Sequence, residues 1–193
     1  MNMFTKAAAA GVVMMSIAGT ASADASKSIA ENAIDNGSFT TLIAAAQAAG
    51  LADALMGEGD FTVFAPTDEA FAALPAGTVE SLLLPENKDA LVALLSAHVI
   101  PVSVEKSYFD LAAVGNTDIA LNNQDIEAFD GGLKLDSIGN TDVNVMKQAS
   151  TYFVMTNDPT LDNTREAAEI TIADIESSNG VIHVIDQVLQ PRT

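Results

Sequence analysis

Apolar and polar positions along this chain follow two regimes, a helical period in the first half and alternation in the second. Phe39, Leu42, Ile43 and Ala46 recur at i, i+3, i+4 and i+7, one face of a helix that Gly50 ends. Ala90, Leu91, Leu94, Leu95 and His98 form a second stripe. It begins after Pro85, a residue suited to a first helical turn, and stops before Val99-Ile100-Pro101. Ser28 with Glu31 fits a capping box for an earlier helix ending at Asn36-Gly37, and Ser38 is placed to cap the next one. Shorter turns of helix are predicted over Leu51 to Met56 and from Thr78 to Leu84.

Between these helices lies Phe61-Thr-Val-Phe-Ala-Pro-Thr-Asp-Glu-Ala-Phe71. Large apolar groups stand on both faces of its first five residues, the mark of a strand packed on both sides. Pro66 has no amide hydrogen to donate and ends the ladder. Thr67 is placed as a helix cap, with Asp68 and Glu69 where a helix N-terminus favours negative charge. The stretch predicts a strand-to-helix corner.

Strand patterns dominate from Ile119 onward. Ile119 to Leu121, Asp125 to Phe129 and Leu133 to Leu135 read as short strands, the last two joined through Asp130-Gly131-Gly132 as a hairpin. Val143 to Val145 and Tyr152 to Met155 are two more, separated by a polar stretch, and Asn157 to Glu166 is a turn-rich loop. Glu169 to Ile175 alternates, and Val181 to Leu189 is almost continuously apolar. Ser178-Asn179-Gly180 joins them, Asn-Gly suggesting the positive φ angles of a type I′ turn. Helices followed by strands, with no linker between, predict a single α+β domain.

Composition changes the picture at the N-terminus. Met1 to Lys6 is positive, Ala7 to Gly19 is apolar, and Ala21-Ser22-Ala23 offers a small-residue cleavage site, so residues 1–23 read as a secretory signal peptide and 24–193 as the mature domain. The apolar run falls short of the roughly 20 residues a bilayer span needs, so no membrane insertion is expected after cleavage. With no cysteine, an exported chain of this kind must be held by its core alone. After removal of Lys6, seven basic side chains face 26 acidic ones, a balance of −19. Such a charge repels phosphate backbones and anionic membranes, which excludes nucleic acid as a natural partner.

Candidate chemistry is sparse. The two histidines, His98 and His183, suggest a metal pair or a catalytic base, yet each lies in an apolar run, where a buried imidazole must hydrogen-bond and serves better as a tie between segments. No Gly-x-Ser-x-Gly elbow, calcium loop of alternating oxygen ligands or phosphate-binding glycine loop occurs. Neither a catalytic residue nor a metal ligand is assigned, and no cofactor is expected.

Four blocks carry a resemblance: Phe61 to Phe71, Leu83-Leu-Pro-Glu-Asn-Lys-Asp-Ala-Leu91, His98-Val-Ile-Pro101, and Ala173-Asp-Ile-Glu-Ser-Ser-Asn-Gly-Val-Ile-His-Val-Ile-Asp186. In this order they resemble a fasciclin-like domain, the bacterial secreted single-domain members most of all. The resemblance implies a compact wedge of short helices on a roughly seven-stranded β structure, and binding or adhesion without catalysis. In animal relatives an Asp-Ile dipeptide ahead of the last block belongs to cell-receptor recognition motifs, and it corresponds here to Asp174-Ile175. Two departures stand out. Ala97 replaces the tyrosine that usually precedes His98, and the segment of about 102–172 is longer than usual.

Two functions follow as expectations. The first is an exported interaction module, periplasmic or extracellular, binding protein or polysaccharide at a cell surface or matrix. Asp174, Ile175 and His98 are its candidate contacts, and Pro66, Thr67, His98, Asn179, Gly180 and His183 its structural positions. The alternative is a secreted small-molecule or ion-binding protein with a pocket under segment 102–172, lined by Tyr108, Phe109, Tyr152 or Phe153.

Overall fold

The structure, a computed structural model, describes residues 25–57, 59–115, 127–129, 132–156 and 167–190. The signal peptide, the strand expected at Ile119 to Leu121 and the loop Asn157 to Glu166 lie outside them. The helical half runs α1 (Ile29–Asn36), α2 (Thr40–Ala49), α3 (Ala52–Met56), β1 (Phe61–Pro66), α4 (Asp68–Ala72), α5 (Thr78–Leu82), a single 3-10 turn at Pro85–Asn87, α6 (Lys88–Ser96), β2 (Val99–Ile100) and α7 (Lys106–Ala113). The strands β3 (Glu127–Phe129), β4 (Gly132–Asp136), β5 (Asp142–Gln148), β6 (Thr151–Thr156), β7 (Ala168–Ser177) and β8 (Gly180–Ile185) follow.

All eight strands join one sheet in the order β2-β1-β8-β7-β6-β5-β4-β3. Neighbours are antiparallel except β1 and β8, which pair in parallel from Phe61 opposite Gly180 to Pro66 opposite Ile185. The fold is α+β, as expected, and β1 is buried on both faces. Phe64 packs with Val104, Phe109 and Ile185, while Val63 and Ala65 pack with Ile29, Phe39 and Ile182 on the other side.

Local signals placed several boundaries well. Ser28 and Glu31 form the full capping box, with the Glu31 carboxylate accepting the Ser28 amide at 2.8 Å, and Gly37 closes α1 at φ 74°. Thr67 caps α4 by accepting the Ala70 amide at 3.3 Å, and Pro66 is the last residue of β1.

Four expectations need correction. Ser38 does not cap α2; the helix begins after Phe39, and its free amides are taken by Asp68 from the β1–α4 corner. The polar stretch between β5 and β6 is strand plus a tight turn, Gln148 facing Thr151 across Ala149-Ser150, with Ala149 at φ 55°. The Asn179-Gly180 turn is not type I′, because Asn179 keeps a negative φ and only Gly180 is positive, at 141°. The final strand ends at Ile185, four residues earlier than the apolar pattern suggested. Helix α7 and the two-residue strand β2 have no counterpart in the sequence reading.

Gly180 owes its identity to a close approach. A Cβ there would stand 1.9 Å from the Phe61 carbonyl oxygen, so the parallel β1–β8 pairing can start only over a residue without a side chain.

Candidate functional site

Asp68, Asn179, and Asp174 with His183 form three hydrogen-bonded nodes, each of which takes N-terminal amides of a helix. The first four N–H groups of any helix have no partner within it, so each start needs an acceptor from elsewhere. Asp68 serves α2. Its carboxylate accepts the amides of Thr40 and Thr41 at 3.2 and 2.7 Å and the Thr40 hydroxyl at 2.7 Å, while its own amide donates to the Ser38 carbonyl at 2.9 Å. Partial burial pushes the Asp68 carboxyl up, but these donors outweigh it and leave the pKa lowered.

Asn179 is the second node. Its side-chain oxygen accepts the Ile29 amide at the start of α1, and its NH2 group donates to the carbonyls of Leu55 and Gly57 at the end of α3. Three of its four side-chain hydrogen-bonding positions are thus filled by backbone groups from two helices.

The third node contains Asp174. Strand β7 advances three residues from Ile172 to Ile175 while β8 advances two, so one extra residue bulges out. Asp174 occupies this bulge at φ 57°, a conformation that Asp adopts more readily than most residues. Its carboxylate accepts the Lys106 amide at the start of α7, at 2.7 Å, and its own amide donates to His183 Nδ1 at 3.3 Å. His183 Nε2–H then donates to the Val104 carbonyl at 2.8 Å, so the ring is neutral with its proton on Nε2. Its faces pack against Phe64 and Phe109, with centroids 5.6 and 5.2 Å away. Burial holds its pKa down.

His98 is built the other way round. The Leu189 amide donates to Nε2 at 2.9 Å, which leaves Nδ1–H to donate to the Leu94 carbonyl at 2.8 Å. This neutral ring joins the end of α6 to the segment after β8. Full burial pushes its pKa down to about 4, against a smaller upward pull from the Leu94 carbonyl. The two histidines are therefore separate ties, each with both nitrogens engaged by backbone. Among the described residues no group of three or more His, Cys, Asp or Glu is arranged to hold a metal ion.

As for the candidate contacts, His98 is 1% exposed and Ile175 is buried at 6%, packed with Val63 and Val184. Asp174 is half-buried, and Ile172, next to the bulge, is 44% exposed. Of the aromatic lining expected under segment 102–172, Phe109 and Tyr152 are core, their ring centroids 6.1 Å apart, while Tyr108 packs half-buried against that core and Phe153 is half-buried.

Sequence reasoning missed one cluster altogether. Asp110 on α7 pairs with Lys106 at 2.7 Å and Lys147 of β5 at 2.6 Å, and it accepts the Tyr152 hydroxyl from β6. Both ammonium groups also lie over the Tyr152 ring, 5.0 and 5.3 Å from its centroid. The hydrogen bonds from Lys106, Lys147 and Tyr152 hold the Asp110 carboxyl well below the usual range. The i, i+4 spacing of Lys106 and Asp110 was the available signal, but it has meaning only once a helix is assigned there.

These features belong to a known family. The Fasciclin domain profile matches residues 37–191, and the chain belongs to the fasciclin domain family. Protein sll1483 of Synechocystis sp. is 42% identical over 171 residues, covering 89% of this chain and 77% of that one. Transforming growth factor-beta-induced protein ig-h3 of Sus scrofa is 35% identical over 153 residues, 79% of this chain but 18% of its own length. Among solved structures, a FAS1 domain pair from the insect cell adhesion molecule fasciclin I shares the fold, with a TM-score of 0.55 at 20% identity over 82% of this chain and 47% of that one. Domains of this family are known in adhesion proteins and are in general non-enzymatic. No helix among the described residues is long and apolar enough to cross a membrane.

Proposed function

We propose that this protein is an exported, non-enzymatic interaction module that binds protein or polysaccharide at a cell surface or matrix, in the periplasm or outside the cell. Membership of a family known in adhesion proteins is the observation that carries this reading. The hydrogen bonding of the two histidines supports it, since each ring has both nitrogens committed to backbone and neither is placed as a base. The contact surface we assign centres on the β7 bulge. There Asp174 shapes the backbone, Ile172 presents apolar surface and the buried Ile175 anchors the strand beneath. His98 braces the fold from within.

Immobilised mature protein is to be tested for retention of cell-surface polysaccharide and extracellular matrix protein, alongside Ile172→Asp and Asp174→Ala. The reading expects saturable retention by the natural chain and at least a tenfold loss in Ile172→Asp, whose fold should be intact. No retention by the natural chain would overturn the module reading. Equal retention by a folded Ile172→Asp would move the contact surface away from the bulge.

A further inference from the structure

Between α4 and α5, where Leu74 to Gly77 link the two helices, lies an open groove of about 310 Å³, at the lower edge of the sizes that binding pockets have. Its floor is apolar and fixed. Phe71 is buried with Ala70 and Val188, and Leu74 and Val79 pack against the same cluster. Small residues keep the space clear: Ala72 and Ala76 line it with one methyl group each, and a Cβ at Gly77 would meet nothing within 4 Å.

Each of the two helices adds a carboxylate, Asp68 from α4 and Glu80 from α5, and no basic side chain is among the lining residues. Asp68 uses three of its roughly four acceptor positions on the Thr40 amide and hydroxyl and the Thr41 amide, all of them neutral donors that leave its charge in place. Glu80 is exposed, and its carboxylate is in no hydrogen bond or ion pair with the described residues.

Acidic residues on an acidic chain are in general only a solvated surface. Here they border a concave apolar floor, and that combination defines the occupant. Lysine and arginine lay a methylene stem on apolar surface and keep the charged head on polar groups, so a basic side chain matches both parts of the lining. A second copy of this chain is a poor occupant, because each copy carries the same net charge of −18. A free small amine would stay largely in water in an open groove, whereas pockets for such ligands bury most of the ligand surface. A polypeptide covers the opening with its own backbone.

We infer that this groove docks a basic segment of a partner protein, a lysine stem lying on Leu74 and Val79 with its ammonium group taken by Asp68 and Glu80. The groove is separate from the β7 bulge and goes beyond the interaction reading given to it, which can fail without touching this site.

The test titrates two end-blocked peptides, Gly-Lys-Leu-Lys-Gly and its uncharged twin Gly-Gln-Leu-Gln-Gly, into the mature protein and follows its amide NMR signals. Three variants accompany it. Glu80→Gln removes the unpaired carboxylate, Ala72→Phe fills the groove from an exposed position, and Glu105→Gln removes the same charge from the exposed start of α7. The proposal expects saturable shifts at Gly77 and Val79 with the lysine peptide and binding of the twin at least about tenfold weaker. It expects about a fivefold loss in Glu80→Gln, the worth of one exposed charge pair, a larger loss in Ala72→Phe, and no more than about a twofold change in Glu105→Gln. No binding by the natural chain, shifts confined elsewhere, or a folded Ala72→Phe that binds like the natural chain would each overturn it. Equal losses in Glu80→Gln and Glu105→Gln would show that the field of the whole chain, not the groove, holds the peptide. Should Ala72→Phe not fold, the comparison of those two carboxylate variants decides. Displacement of the peptide by n-butylammonium at an equal concentration would make the occupant a free amine, and the proposal fails.

Discussion

The carboxylate of Asp68 accepts the backbone amide of Thr41 at 2.7 Å, so α2 is capped by a residue 27 positions further along the chain. Because Asp68 also returns its own amide to Ser38, the corner after β1 and the start of α2 are fixed by the same residue. Side-chain caps contribute about 0.5–2 kcal/mol, and this one serves two amides, so Asp68→Ala should cost about 2 kcal/mol in urea unfolding. Asp68→Asn keeps an acceptor and should cost less. Equal losses in the two variants would show that charge, not acceptor geometry, holds the corner.

Gly180→Ala should be far worse than a usual glycine-to-alanine change. A methyl group 1.9 Å from the Phe61 carbonyl cannot be housed unless the β1–β8 ladder opens at its first pair. Gly37→Ala is the control, since its Cβ meets nothing within 4 Å and its strain comes only from φ 74°. That control should lose about 1 kcal/mol, the cost of a left-handed backbone, with Gly180→Ala losing several times more. Similar melting temperatures for the two would rule out the close approach as the reason for Gly180.

These two residues also show what was legible in the sequence. Signals that act within a few residues, such as the Ser28–Glu31 box, Gly37 and Pro66, lay where their local chemistry put them. Ser38 failed as a cap because a stronger acceptor reaches the same amides from another element. Helix α7 escaped notice because its acceptor, Asp174, is 68 residues away and no capping residue adjoins Lys106. The β5–β6 turn is built on Ala149-Ser150, which lacks the glycine or asparagine that marks a hairpin in sequence. Asn179 and Gly180 were recognised by identity but with the wrong geometry, since neither residue is there to supply a type I′ turn. One clamps α1 and α3, and the other clears room for β1. Of the candidate site, the individual residues were legible and their partners were not.

Asp110 offers a test of how much a convergent ion cluster contributes near the surface. Lys106, Lys147 and Tyr152 all engage it, yet the side chains of Asp110 and Lys106 remain 38% and 42% exposed. Exposed pairs contribute about 0–1 kcal/mol and are screened by salt. Asp110→Asn should therefore cost about 1 kcal/mol at low salt and less in 1 M salt, the ionic strength at which screening reaches about 3 Å. A loss that is large and independent of salt would identify the Tyr152 hydroxyl contact, not the ion pairs, as the anchor of α7 on β5 and β6.

The buried histidines set a stability window of their own. His98 titrates at about 4 in the folded chain against 6.5 as a free side chain, because burial disfavours its charged form. The unfolded chain therefore takes up a proton first as pH falls, and the stability associated with neutral His98 is complete above pH 6.5 and lost down to about pH 4. The shift corresponds to roughly 3 kcal/mol, with His183 shifted in the same direction. Glu31, Asp68 and Asp110 have lowered pKa values, so their contributions persist above the ordinary carboxylate range and fall away only at lower pH. Between pH 6.5 and about 4.5, then, the slope of unfolding free energy against pH belongs mainly to the two imidazoles. His98→Asn removes one of them while an amide remains to donate toward Leu94. It should be less stable at pH 7.5, yet its stability should fall less steeply from pH 6.5 to 4.5. A variant that keeps the full slope would show that His98 is not the buried neutral tie between α6 and the segment after β8.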